Sequence, residues 1–173
     1  MTTGQGFRTA DGAAVSLRSV TPGDMEFLER VYGSTRAEEL ALTEWDDATK
    51  SAFIAQQFRA QHEHYTSNYV GATYDVVVVD GEDAGRLYVA RWPDEIRMMD
   101  IALLPEYRGR GVGTPLIRAL MREAADGGMK LSIHVEQNNR ALGLYRRLGF
   151  EPVHEHGVYV LLEWRSDREG SAG

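Results

Sequence analysis

The chain has 173 residues, 43% of them hydrophobic and 26% charged, which suits one globular unit built around one core. It contains no cysteine, which excludes disulfides, thiol catalysis and thiolate metal ligands and fits a reducing cytoplasm. A formal charge of −7 and the lack of any apolar run near the roughly 20 residues of a membrane span argue against nucleic-acid and membrane partners. The N-terminal MTTGQGFRTADG likewise has no signal-peptide core.

Val15 to Val20 alternates as a strand does. Thr21-Pro22 then offers a helix cap with proline at the first helical position, and Met25, Phe27, Leu28 and Val31 form the apolar side of the helix. A second helix is expected from Asp47 to Tyr65, with Phe53, Ile54, Gln57, Phe58 and Gln61 at three-to-four spacing. Tyr74 to Val79 reads as a buried strand, Asp80 to Asp83 as a turn, and Gly85 to Arg91 as the next strand. Trp92 to Glu95 turns again, and Ile96 to Leu104 forms a third long strand. Leu116, Ile117, Leu120, Met121 and Ala124 give a clear helical face that Gly127-Gly128 terminates. Leu131 to Val135 is a strand, Asn138 to Leu148 a short helix closed by Gly149, and Val158 to Trp164 a final strand. This order predicts a mixed α/β sheet with helices on its faces, one domain over residues 1–165, and a frayed tail from Ser166 to Gly173.

Between the third strand and the amphipathic helix stands LLPEYRGRGVGT, Leu103 to Thr114. Glycines at 109, 111 and 113 leave the backbone free of Cβ atoms, so successive N–H groups can turn toward one point, and the following helix adds its positive end. That combination suits an anion such as phosphate, with charge-assisted hydrogen bonds available from Arg108 and Arg110. A tight strand-to-helix turn is the plainer alternative. The basic cluster of Arg108, Arg110, Arg118 and Arg122 matches a small anionic ligand better than a duplex. A Walker loop is absent. Thr114 stands where a dinucleotide fingerprint needs its third glycine.

Arg108-Gly-Arg-Gly-Val-Gly113 resembles the pyrophosphate motif Arg/Gln-x-x-Gly-x-Gly/Ala of the GCN5-related N-acetyltransferases. Asn138 to Phe150, NNRALGLYRRLGF, is similar to that family's Asn-x-x-Ala…Leu-Tyr-x-x-x-Gly-Phe signature at about the spacing the family uses. The order of elements from Val15 to Trp164 resembles it too. The resemblance implies a mostly antiparallel sheet of about seven strands with about four helices, splayed between its fourth and fifth strands. It also implies an N-acetyltransferase that carries an acetyl group from acetyl-CoA to a primary amine, by direct attack in a ternary complex. No metal is required. The rival reading is a non-catalytic acyl-CoA-binding module of the same fold.

The resemblance further implies that the pantetheine arm of the coenzyme pairs with main-chain groups of Ile101, Ala102 and Leu103. The pyrophosphate would sit over the amides of Gly109, Arg110, Gly111, Val112, Gly113 and Thr114. Pro115 removes one donor from the first helical turn, which makes Thr114 the weakest loop contact. Asn138 and Asn139 compete for the asparagine that touches the arm, and a helix N-cap is the alternative for either. Tyr145 matches the tyrosine near the coenzyme sulfur, a candidate acid toward the leaving thiolate; spacing alone would make it a core residue beside Leu142 and Leu148.

Asp100 lies within an apolar strand, MMDIALL, where a carboxylate needs a partner or a task. It is the candidate base, and an ion pair with Arg86 or Arg97 is the alternative. His134 and Glu136 are the next candidates, a water molecule is another, and His62 and His64 are expected on a solvated helix face. For the acceptor, Trp45, Tyr65, Tyr69, His154, His156 and Tyr159 with Glu38, Glu39, Glu44, Asp46 and Asp47 suit a cationic amine. Small molecule and peptide stay open, and the resemblance leaves a homodimer open.

Overall fold

The computed structural model describes residues 6–166, so the expected tail lies outside the described residues except for Ser166. Eight strands form one sheet in the order β1-β2-β3-β4-β5-β6-β8-β7. They are β1 (Phe7–Arg8), β2 (Ala14–Ser19), β3 (Thr73–Val79), β4 (Glu82–Arg91), β5 (Glu95–Leu103), β6 (Lys130–Glu136), β7 (Glu151–His156) and β8 (Tyr159–Trp164). The helices are α1 (Met25–Ala41), α2 (Asp47–Asn68), α3 (Gly113–Asp126) and α4 (Leu142–Arg147). Every neighbouring pair is antiparallel except β5 and β6, which α3 joins in parallel. No helix among the described residues is long and apolar enough to cross a membrane.

The elements differ from the sequence expectation where solvent hides the pattern. The sheet has eight strands rather than about seven. The two that were not among the six strands read from the sequence are the two-residue β1 and the edge strand β7, whose residues are all exposed and therefore need no apolar alternation. The turn between β3 and β4 is only Asp80-Gly81, both at positive φ (49° and 82°), as a tight hairpin requires. The helix expected from Asn138 begins at Leu142, because Asn138 to Ala141 form the turn that leads into it.

Two cores hold the sheet. The larger lies between the sheet and α3: Leu116, Ile117, Leu120 and Ala124 on the apolar stripe of α3 pack with Leu87, Val89, Ile96, Met98, Leu131, Ile133 and Leu162. On the other face α1 and α2 meet through Leu28, Tyr32 and Phe58, with Ile54 and Met25 at the rim. Ahead of α1, Pro22–Asp24 makes a single 3-10 turn in which Asp24 Oδ2 accepts from the Thr21 amide at 2.7 Å. Arg18 of β2 then holds Asp24 with two hydrogen bonds of 2.8 and 2.9 Å and Asp83 with a third of 2.7 Å, tying sheet to helix.

β5 sets the position of everything functional. It pairs with β6 only over Glu95–Met98 against Lys130–Ile133. At that point the β4–β5 register shifts, with Tyr88 opposite Asp100 and Val89 opposite Met98, so Met99 is an extra residue. A bulge of this kind bends its strand and increases its twist, and β5 leaves β6 there. The same insertion flips the faces: Met98 belongs to the α3 core, and beyond the bulge Ile101 and Leu103 take that side while Asp100 turns toward α2. The sheet is thus splayed between the strands called fourth and fifth from sequence, here β5 and β6.

Candidate active site

The wedge opened by the parting of β5 and β6 is a cleft of about 360 Å³, roofed by α1 and α2. Asp100, Ile101, Ala102, Asn139 and Tyr145 all line it. Leu103 and Asn138 do not. The Leu103 carbonyl accepts from Arg108 Nε at 2.9 Å. Asn138 is exposed, whereas the side chain of Asn139 accepts from the Ala141 amide at 2.7 Å and so shapes the turn ahead of α4.

Tyr145 is 2% exposed, against Phe150 at 5.6 Å between ring centroids, so it belongs to the core and to the cleft wall at once. Its hydroxyl has no hydrogen-bond partner among the described residues and is not among the enclosed atoms, which leaves it open to the cleft. Burial, and then the negative charge of Asp100, raise its pKa above the ordinary tyrosine value, so the phenol keeps its proton.

The partner of Asp100 is Arg86 on β4, whose Nη2 lies 2.6 Å from Oδ2. Arg86 is 2% exposed and also donates to Gln61 Oε1 of α2 at 2.8 Å. Burial works against its charge, and the Asp100 carboxylate together with Tyr88 and Tyr65 outweighs that, so its pKa is raised. Tyr65 of α2 has its hydroxyl 3.3 Å from the Met99 carbonyl and 3.4 Å from Asp100 Oδ2. The sequence singled out Asp100 as a charge within an apolar strand. Arg86, within AGRLYVA, gives the same signal on the neighbouring strand and is as much part of the site.

The other candidates separate. Arg97 pairs with Glu95 and with Ser132, at 2.8 and 2.7 Å, not with Asp100. Its Nη1 lies 3.3 Å from His134 Nδ1, and burial and then Arg97 lower the His134 pKa. Glu136 accepts from Arg36 of α1 at 3.2 Å. Tyr65, Tyr69, Tyr159 and Glu39 border the cleft. His154 and His156 stack on each other over a shallower depression beside it, Trp45 packs on Phe53, and Asp46 caps α2 through the Thr49 amide. His62 is not on a solvated face: its ring stacks on Phe58 and its Nδ1 is enclosed, whereas His64 is exposed. No group of three or more His, Asp or Glu among the described residues is arranged to hold a metal ion.

At the α3 end, Gly109 and Gly111 adopt positive φ of 71° and 74°, with open space where a Cβ would stand. Among the described residues no main-chain carbonyl accepts from the amides of Gly109, Arg110, Gly111 or Val112. The first-turn amides of α3 lack helical partners as in any helix. The two arginines flanking this loop point elsewhere. Arg108 ties the loop to α1, its Nη2 donating to Ser34 Oγ at 3.0 Å, and Arg110 lies over the Tyr107 ring at 5.6 Å. Sequence reasoning named Glu38 and Glu39 of α1 but gave no signal for Ser34 or Arg36. There Ser34, Arg36 and Glu38 meet Arg108, Glu136 and Arg140 in turn, fastening α1 across the cleft.

A sheet parted at its one parallel pair among the described residues, with a glycine loop feeding a helix beside the gap, is the arrangement that the family resemblance implied. A family model described as an acetyltransferase (GNAT) domain matches residues 69–152. The N-alpha-acetyltransferase RimI of Mycobacterium tuberculosis is 31% identical over 146 residues, 84% of each chain. The streptothricin acetyltransferase of Streptomyces lavendulae is 30% identical over 166 residues, 82% of this chain and 84% of that one. Among solved structures, the PaiA N-acetyltransferase of Thermoplasma acidophilum in complex with coenzyme A shares the fold with a TM-score of 0.65. That likeness is at 16% identity, over 88% of this chain and 99% of that one. The chain belongs to the GCN5-related N-acetyltransferase (GNAT) family. It is an N-acetyltransferase, and its acyl donor is acetyl-CoA.

Proposed function

We propose that the amine and the thioester meet in the β5–β6 cleft and that transfer is direct, within a ternary complex. One observation carries this: the strand that bears Asp100 and the helix that bears Tyr145 line one cleft where β5 and β6 part, and each presents a polar atom with no partner among the described residues. The diphosphate of acetyl-CoA rests on the amides of Gly109 to Thr114 and on the N-terminal end of α3. The pantetheine arm runs along Ile101 and Ala102 as an added strand would, with Asn139 beside it.

The acceptor is a primary amine, and Asp100 Oδ1, the carboxylate oxygen that Arg86 leaves unbonded, takes its N–H. The amine nitrogen forms a bond to the thioester carbon, and the carbonyl oxygen becomes an oxyanion facing main-chain donors of β5. As the intermediate collapses, the C–S bond breaks and the thiolate receives the Tyr145 proton. Burial and Asp100 keep the phenol protonated until that step. Mixing the protein with acetyl-CoA and a panel of primary amines, and following free thiol, tests the reading. Amine-dependent thiol release is expected, and release that no amine stimulates counts against it.

A further inference from the structure

Arg86 is the least satisfied polar group in the cleft wall. A guanidinium has five N–H donors. Only Nη2 meets acceptors, Gln61 Oε1 and Asp100 Oδ2. Nε is enclosed without a partner, and Nη1 makes no hydrogen bond among the described residues and is not enclosed. The Tyr88 ring covers one side of the group at 5.0 Å from Cζ, and the Tyr32 ring lies at 5.9 Å. Buried donors of this kind are almost always satisfied, and Arg86 lines the cleft.

We infer that Arg86 is a specificity-determining residue for the acceptor, donating from Nη1 to a neutral carbonyl oxygen placed next to the amine that is acetylated. The inference rests on the proposed site and adds the acceptor's chemistry to it. Asp100 Oδ1 and Arg86 Nη1 belong to one ion-paired unit, so a ligand that satisfies both must carry an N–H donor and an oxygen acceptor a few bonds apart. An α-aminoacyl amide has that arrangement. A carboxylate suits the place less well, because Asp100 already neutralises Arg86 and Glu39 and Glu136 also border the cleft. An alkylamine leaves Nη1 unbonded. The shared chemistry is found in free amino-acid amides and in the first residue of a polypeptide.

The test is a comparison of kcat/KM for alaninamide, an alanine-initiated tripeptide amide, free alanine and propargylamine, each expressed per neutral amine. Propargylamine has basicity close to that of an amino-acid amide and no carbonyl. The wild-type protein is expected to prefer one or both amides over propargylamine by roughly ten- to a hundred-fold, the worth of a hydrogen bond from a charged donor. Free alanine is expected to fall below the amides. The better of the two amides tells a small molecule from a polypeptide end. In Arg86→Lys the amide preference should shrink about ten-fold or more while KM for acetyl-CoA stays within two-fold. Equal wild-type rates for amide and propargylamine overturn the inference, as does an Arg86→Lys protein that keeps the full preference. If Arg86→Lys does not fold, the wild-type ratio decides alone. Turnover without discrimination fails only this inference; coenzyme binding with no turnover of any amine fails the proposed site as well.

Discussion

Tyr145 packs in the core and lines the cleft at once. Its spacing with Leu142 and Leu148 marks a core position, and the ring is indeed packed on Phe150, yet the hydroxyl is open to the cleft. Removing that oxygen should leave the packing nearly unchanged. Tyr145→Phe is therefore expected to lower kcat by about a hundred-fold or more, with KM for acetyl-CoA within two-fold and the melting temperature within a few degrees. Steady-state kinetics on an acetylated amine checks this, and unchanged kcat would remove the tyrosine from the chemistry. Asp24 plays a structural part instead. Hydrogen bonds from Arg18, opposed by burial and joined by the Thr21 amide, hold its pKa well below the usual carboxylate range. A lowered carboxylate pKa adds stability that is present above the unfolded value, near 3.9, and is lost as pH falls through the folded one. Asp24→Asn should thus destabilise the fold at pH 7 by about 1–2 kcal/mol, and the gap to wild type should close below pH 4. Urea unfolding at pH 7 and pH 3 measures it; a gap that widens in acid would contradict the linkage.

Among the elements, β4 and β5 bear the site, and Gly85 allows them to approach. A Cβ at Gly85 would stand 2.2 Å from the Ala102 carbonyl oxygen and 2.9 Å from Leu103 Cδ2, so backbone would have to move. Gly85→Ala is expected to cost about 1–3 kcal/mol of stability by overcrowding and to shift the strand that carries Asp100. Thermal unfolding checks the first effect, and a melting temperature equal to wild type would show that the strands yield freely. How far these elements were legible depended on burial. YDVVVV, the α3 stripe and the apolar β5 run announced themselves because each buries a face at a definite period. β7 did not, since EPVHEH lies exposed at the sheet edge and obeys no inward pattern. The bulge at Met99 was invisible for another reason: nothing in MMDIALL marks where one extra residue enters, and only pairing with Tyr88 and Val89 defines it. The glycine loop and Tyr145 could be found from motif spacing. Ser34 and Arg36 could not, because polar side chains on α1 acquire meaning only from the loops they reach.

At the scale of the whole molecule, an acidic chain has to hold an anionic coenzyme. The net charge of −7 gives no general attraction, so the holding must be local. The features proposed for it are a loop whose amides find no carbonyl among the described residues and the positive end of a 14-residue helix. Arg108 serves this indirectly, fixing the loop to α1 through Ser34 rather than facing outward. The same α1 also lines the cleft through Tyr32, Thr35, Arg36 and Glu39. The most direct measurement is a calorimetric titration of coenzyme A into the wild-type protein and into Gly111→Ala. Forcing alanine into a φ of 74° costs about 1–2 kcal/mol, and escaping that strain turns the amides away from their common target. Binding at least ten-fold weaker in Gly111→Ala, with the fold intact by circular dichroism, is the expected result. A folded variant that binds coenzyme A as tightly as wild type would contradict the diphosphate grip.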